Sequence, residues 1–124
     1  MRSEPWFWES AEDFEGLVLE SGSHSSPKSG VCLMEAAAWL AREPHSDHPE
    51  CVCPLLGDYG RTMNDQLPAS KRQLLKPYIP ALLGTANDGF REARGFLACD
   101  WIIRTYTPAW LRLAGLIEEA EALE

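Results

Sequence analysis

Most of the ligand-type chemistry of this 124-residue chain falls within nine positions, where His45, Asp47, His48, Cys51 and Cys53 follow one another. Imidazole nitrogens and thiolates are the donors that a four-coordinate zinc takes, and His45, His48, Cys51, Cys53 and Cys32 together offer enough of them for a structural site. The spacing is not that of a zinc finger, whose donors come as two separated knuckles. Here four candidates sit on one tight loop, so Cys32 or Glu35 would have to close the shell from the neighbouring element. The alternative is a loop whose histidines and cysteines only pack or cap.

Cys32 carries a second chemistry. It stands close behind Gly30 at the start of an apolar segment, where a helix dipole would favour the thiolate. A cysteine-dependent enzyme would use Cys32 as nucleophile and His45 or His48 as base. That base would have to fold back along the helix, by some ~18 Å at a rise of ~1.5 Å per residue.

Glu35 is the only charged residue between Val31 and Ala41. An unpaired buried carboxylate costs several kcal/mol in order of magnitude, so Glu35 must reach water, be protonated or be paired. Arg42, His48, Arg104 or a metal could serve as its partner. Asp100 and Arg104 stand four residues apart in an otherwise apolar segment and read as an internal ion pair. Glu35, Arg42, Asp100 and Arg104 are therefore the expected members of a buried polar network, the kind of feature that fixes a packing and can also hold a ligand.

The elements that would position these groups read as helices. GVCLMEAAAWLAREP predicts a core helix over about 31–42, stopped at Pro44. A second helix opens at Pro54, which is preorganised for a first turn, and runs to about Leu67 with Leu55, Leu56, Tyr59, Met63 and Leu67 on the inner face. ASKRQLLKPYIPALLG gives two turns, a kink at Pro77 and a short piece ending at Gly84. FREARGFLACDWIIRTY predicts the longest helix, about 89–106, and Pro108 opens a last one. The fold class is all-α: a single small helical bundle of four to five helices with an irregular N-terminal arm.

The net charge of −8 sits at the ends. Residues 1–20 carry six acids against Arg2, and the last seven residues carry four more, whereas residues 21–115 hold nine acids and ten bases. No cluster of lysine and arginine with aromatics supplies a nucleic-acid footprint, so no nucleic-acid partner is expected. No apolar run approaches the ~20 residues of a membrane span, and the N-terminus lacks signal-peptide charges, so the expected location is the cytoplasm, with free thiols. The domain reading is an acidic aromatic arm and flexible linker over 1–29, a helical domain over 30–118 and an acidic tail over 119–124. His24, inside the Ser/Gly linker SGSHSSPKSG, reads as solvated.

From Gly30 to Leu116 the chain resembles a group of small uncharacterised bacterial proteins. The resemblance rests on C-L-M-E-A at Cys32–Ala36, D-H-P-x-C at Asp47–Cys51, L-x-G-T at Leu82–Thr85, and D-W-x-x-R-x-x-x-P-x-W-L-x-x-A-G-L at Asp100–Leu116. It implies no activity. Serine can stand in that group where Cys53 stands here, so the resemblance does not require Cys53 as a ligand. The expected function is a small soluble binding or regulatory module with a protein partner, whose 45–53 loop could hold a structural zinc. The alternatives are the Cys32 enzyme and an acidic docking or nucleic-acid-mimicking protein.

Overall fold

A computed structural model describes residues 14–124. The described residues are helical, with no strand among them. Five helices have seven residues or more: α1 (Leu33–Leu40), α2 (Pro54–Gln66), α5 (Arg91–Trp101), α6 (Thr107–Leu113) and α7 (Ile117–Leu123). Two are single turns, α3 (Ala69–Arg72) and α4 (Ile79–Leu82), joined by a 3-10 segment, Gln73–Tyr78, around Pro77. Two compact units result, residues 1–89 and 90–124. Residues 1–13 of the expected arm lie outside the described residues.

In the first unit α1 is the core. Seven of its eight residues are buried, Leu33 to Trp39, because LMEAAAWL is apolar on every side but one. Burying Met34 and Trp39 stabilises the unit by about 2–3 kcal/mol per side chain. The helix stops in a Schellman turn in which Glu43 N–H donates to Ala38 O (2.8 Å) and Arg42 N–H to Trp39 O (3.0 Å). That turn needs a left-handed residue, and Arg42 takes it at φ 61°, where glycine is usual.

The second helix packs on α1 by a face other than the one its apolar spacing predicts. Gly57, Gly60 and Asn64 are buried, whereas Tyr59 and Met63 are exposed. The reason is close approach. A Cβ on Gly60 would lie 2.6 Å from Met34 Cε and 3.1 Å from Leu33 Cδ2, so glycine here lets these two side chains pack directly on the α2 backbone. The buried Asn64 then joins segments by accepting from Leu33 N–H (3.1 Å) and donating to Glu20 O (2.9 Å). Arg72, also buried, donates to Asn64 O and Leu67 O.

Residues 19–30 are not a free linker. Leu19 is fully buried, and its N–H and C=O bond the Gln73 side chain at 2.8 and 2.9 Å. Glu20 N–H donates to Val31 O, and Gly22 N–H to Asp65 Oδ1. Tied down by these backbone attachments, the segment belongs to the helical unit rather than to an arm separated at residue 29.

In the second unit α5 and α6 form one continuous rod through a π-helical turn, Ile102–Tyr106. Pro108 explains the turn: it has no N–H to donate, and its ring would strike the carbonyl four residues back in a regular helix. Gly115, at φ 80°, closes a second Schellman turn, with Leu116 N–H donating to Leu111 O (2.9 Å). The last helix then folds back along α6, and Glu124 accepts from Arg112 and, through its backbone oxygen, from Arg104. Among the described residues no helix is long and apolar enough to cross a membrane.

Candidate functional site

Glu35 sits at the third position of α1, 1% exposed. Both carboxylate oxygens are filled. Oε1 accepts from Cys32 N–H (2.9 Å) and from His24 Nδ1 (2.8 Å). Oε2 accepts from His24 N–H (2.8 Å) and lies 3.0 Å from His45 Nε2, which also donates to His24 O at 2.8 Å. Burial alone would raise the carboxyl; the hydrogen bonds from the His24 ring and from the Cys32 and His24 amides outweigh it and hold Glu35 below its ordinary range. The carboxylate thus ties together three segments: the stretch before α1, the helix start and the loop after it.

Cys32 is the N-cap of α1. Its sulfur accepts from Glu35 N–H at 3.4 Å while the Glu35 carboxylate takes the Cys32 amide, a capping box with cysteine in the place of serine. Burial pushes the Cys32 thiol up to about 12, and the Glu35 charge adds to the effect, so it is protonated near neutral pH. The helix-terminus argument for a thiolate fails here because desolvation and a neighbouring carboxylate outweigh the dipole. His48, expected as a possible base, is exposed, with Nδ1 2.7 Å from Asp47 Oδ1.

The five expected metal ligands do not converge on one another: Cys32 and His45 both lie against Glu35, and His48, Cys51 and Cys53 go to other residues. His45 goes to Glu35 and to the face of Trp39, with ring centroids 6.2 Å apart. Its other ring nitrogen, Nδ1, is buried without a hydrogen-bond partner among the described residues. The Cys51 thiol is pushed up to about 11, by burial first and then by its hydrogen bond to Glu43, whose carboxylate also accepts the Glu50 and Cys51 amides. Cys53 is fully buried, its N–H donating to Thr85 Oγ1 at 2.8 Å. Among the described residues no group of three or more His, Cys, Asp or Glu side chains is placed to hold a metal ion. All four cysteines are unbridged.

The four residues expected in a polar network are divided between the units, Glu35 and Arg42 in the first and Asp100 and Arg104 in the second. Arg42 stands at the end of α1 and carries its left-handed turn, away from the buried carboxylate's donors. Asp100 and Arg104 do pair, at 3.6 Å, yet their side chains are 57% and 60% exposed, so theirs is a surface pair of small energetic weight. The partners that sequence reasoning missed are His24 and His45, the second expected only as a metal ligand or a base. Their signal was indirect: a buried acid one turn into a helix requires donors, and His24 and His45 lie at similar separations on either side of it. Gly30, at φ 136°, admits the ring, since a Cβ there would collide with His24 Nε2 and Glu20 Oε2.

The second unit offers a surface instead of a cluster. Trp101, Tyr106 and Trp110 form an aromatic row with centroids 5.4 and 6.2 Å apart. They are 46%, 46% and 58% exposed. The spacing of five and then four residues stays on one face only because the π turn inserts one extra residue between Trp101 and Tyr106. Leu97 and Leu113 extend the row at both ends, each exposed. No family model, curated protein or solved structure matches this chain. The first unit thus presents a satisfied buried carboxylate and the second an exposed aromatic row.

Proposed function

We propose that this chain is a small binding module, that its working surface is the helical unit 90–124, and that the partner is a protein. The observation that carries the reading is the aromatic row on the α5–α6 rod. Within that unit only Pro108 and Ala120 are buried, while twelve large hydrophobic residues from Phe90 to Leu123 stand exposed. Among them the row Leu97, Trp101, Tyr106, Trp110 and Leu113, aromatic at its centre, has the composition of an interface centre. A unit of 35 residues also has too little interior to be stable by its own packing. The Glu35 knot supports the reading from the other side: with its oxygens filled by four donors, it is suited to holding α1 in place rather than to taking a substrate.

Site-specific photo-crosslinking tests the proposal. A crosslinker replacing Trp110 should give discrete intermolecular products in cells, and one replacing the exposed Lys28 should not. If the Trp110 probe reacts only within its own chain, the 90–124 unit is not a binding surface.

A further inference from the structure

We infer that Nε2 of His24 and the carboxylate of Glu20 form a two-donor site for a borderline divalent cation such as zinc, open to solvent and backed by Glu35.

The first argument is the hydrogen on His24. The Glu35 carboxylate can only accept, so the Nδ1 that faces its Oε1 at 2.8 Å carries the hydrogen. In the neutral ring Nε2 is then a bare lone pair, and it lies 3.7 Å from Glu20 Oε2, another acceptor. Two acceptors so placed are drawn together only by a cation between them. A carboxylate on the far N–H is also what orients a metal-binding histidine and raises its basicity.

The second argument is geometry. Donors at about 2.0–2.2 Å in a tetrahedral shell stand ~3.4 Å apart, so a shift of a few tenths of an ångström closes this pair on a metal. The Glu20 side chain, 55% exposed, can make that shift, while the His24 ring, 13% exposed, is held by Glu35. Both donor atoms converge over Gly30, where a Cβ would collide with each. With two protein donors the rest of the shell is left to water, consistent with the lack of any three-ligand group among the described residues.

The third argument is charge. Glu20, Glu35 and Asp65 stand about the His24 ring, and against them the Arg72 guanidinium acts on the Asp65 side. The neighbouring groups do not compete as ligands: His45 Nε2 donates to His24 O, and Asp65 Oδ1 accepts from Gly22 N–H and the Asn64 amide. Imidazole with carboxylate suits zinc, copper or nickel better than calcium or magnesium.

Titration of zinc chloride into the untagged full-length chain, followed by long-range proton–nitrogen NMR of the imidazole rings, tests this. The His24 Nε2 signal should move as one equivalent binds, and binding should weaken on acidification, because a proton competes for the same lone pair. Glu20→Gln keeps the backbone bonds of residue 20 and should weaken binding at least about tenfold, with the metal-free melt checking that the fold is kept. His48→Gln is the control, since His48 also has a carboxylate at Nδ1, and it should bind zinc as the wild type does. No saturable binding below about 1 mM zinc would overturn the site. So would zinc that binds without moving the His24 signal, or a Glu20→Gln variant that binds as tightly as wild type. A His24 Nε2 that keeps a proton in the presence of zinc would overturn it too, by showing that the cation between the two acceptors is that proton.

Discussion

Glu35 accepts from both the ring and the backbone N–H of His24, at 2.8 Å each, and so ties the core helix to the segment that reads as flexible linker. The pairing turns a composition-based boundary into a structural joint. It also decides what substitution of Glu35 must do. Two of the donors are backbone amides, and no side-chain change removes them. Glu35→Leu leaves those amides and the His24 ring nitrogen without their acceptor in the core, so it should cost about 3–5 kcal/mol. Glu35→Gln keeps the shape but sets an amide NH₂ against donors, at about 2–3 kcal/mol. Urea melts of both variants should rank them wild type, Gln, Leu. A Leu variant as stable as wild type would mean that the knot contributes nothing.

Acid sensitivity follows from the same contacts. The Glu35 carboxyl is held below its ordinary 4.5 in the folded protein, as are those of Glu43 and, from 3.8, Asp65. A depressed carboxyl contributes stability that is fully present above its unfolded value and lost as pH falls through the folded one. Thermal midpoints should therefore be flat with respect to these groups above about pH 5 and fall on acidification below it. In Glu35→Gln the acid-side slope should be shallower than in wild type. An unchanged slope would place the acid sensitivity elsewhere.

Two helical glycines should respond to alanine with opposite signs. Gly60 faces the tip of the fully buried Met34 side chain, which an added Cβ would force to repack, so Gly60→Ala should destabilise by about 1–2 kcal/mol despite its better helix propensity. Gly95 lies inside α5, and a Cβ added to it would meet nothing within 4 Å, so Gly95→Ala should stabilise by about 0.5–1 kcal/mol. Denaturant titrations of the two variants check the pair. Equal shifts would mean that the α1–α2 approach is looser than the geometry states.

The all-helical class and the limits of α2 were legible because Pro54, Pro77 and Pro108 punctuate helical periodicity. The inner face of α2 was not. Apolar spacing points to Tyr59 and Met63, but backbone approach at Gly60 turns the face by about one residue, and a pattern of hydrophobicity cannot register a contact made by an absent side chain. Glu35 was recognisable as a residue needing partners, because the cost of an unpaired buried charge is general. Its partners were not, since they depend on the path of residues 19–30. The grouping of His45, His48, Cys51 and Cys53 failed for a related reason: neighbours along a loop point wherever local acids draw them, here Glu35, Asp47 and Glu43. Whether Asp100 and Arg104 were inside or outside turned on the apolar residues around them, which in the 90–124 unit stand exposed.

Removing residues 1–29 gives the sharpest check on the first unit. If the segment were an independent arm, a 30–124 chain would melt like the whole. The structure leads to the opposite expectation, because the deletion takes away Leu19 from the core, the Gln73 clasp on its backbone, the Glu20 carbonyl bonded by Asn64, and both His24 donors to Glu35. Loss of the buried Leu19 alone is worth about 2–5 kcal/mol. An uncompensated Glu35 adds a similar amount, which together approaches the whole stability of a domain this size. The 30–124 chain should therefore lose its cooperative transition and near-ultraviolet dichroism, and His24→Ala in the full chain should reproduce part of that loss. A sharp, wild-type-like melt of the 30–124 chain would show that residues 19–30 lie on the helical unit without holding it together.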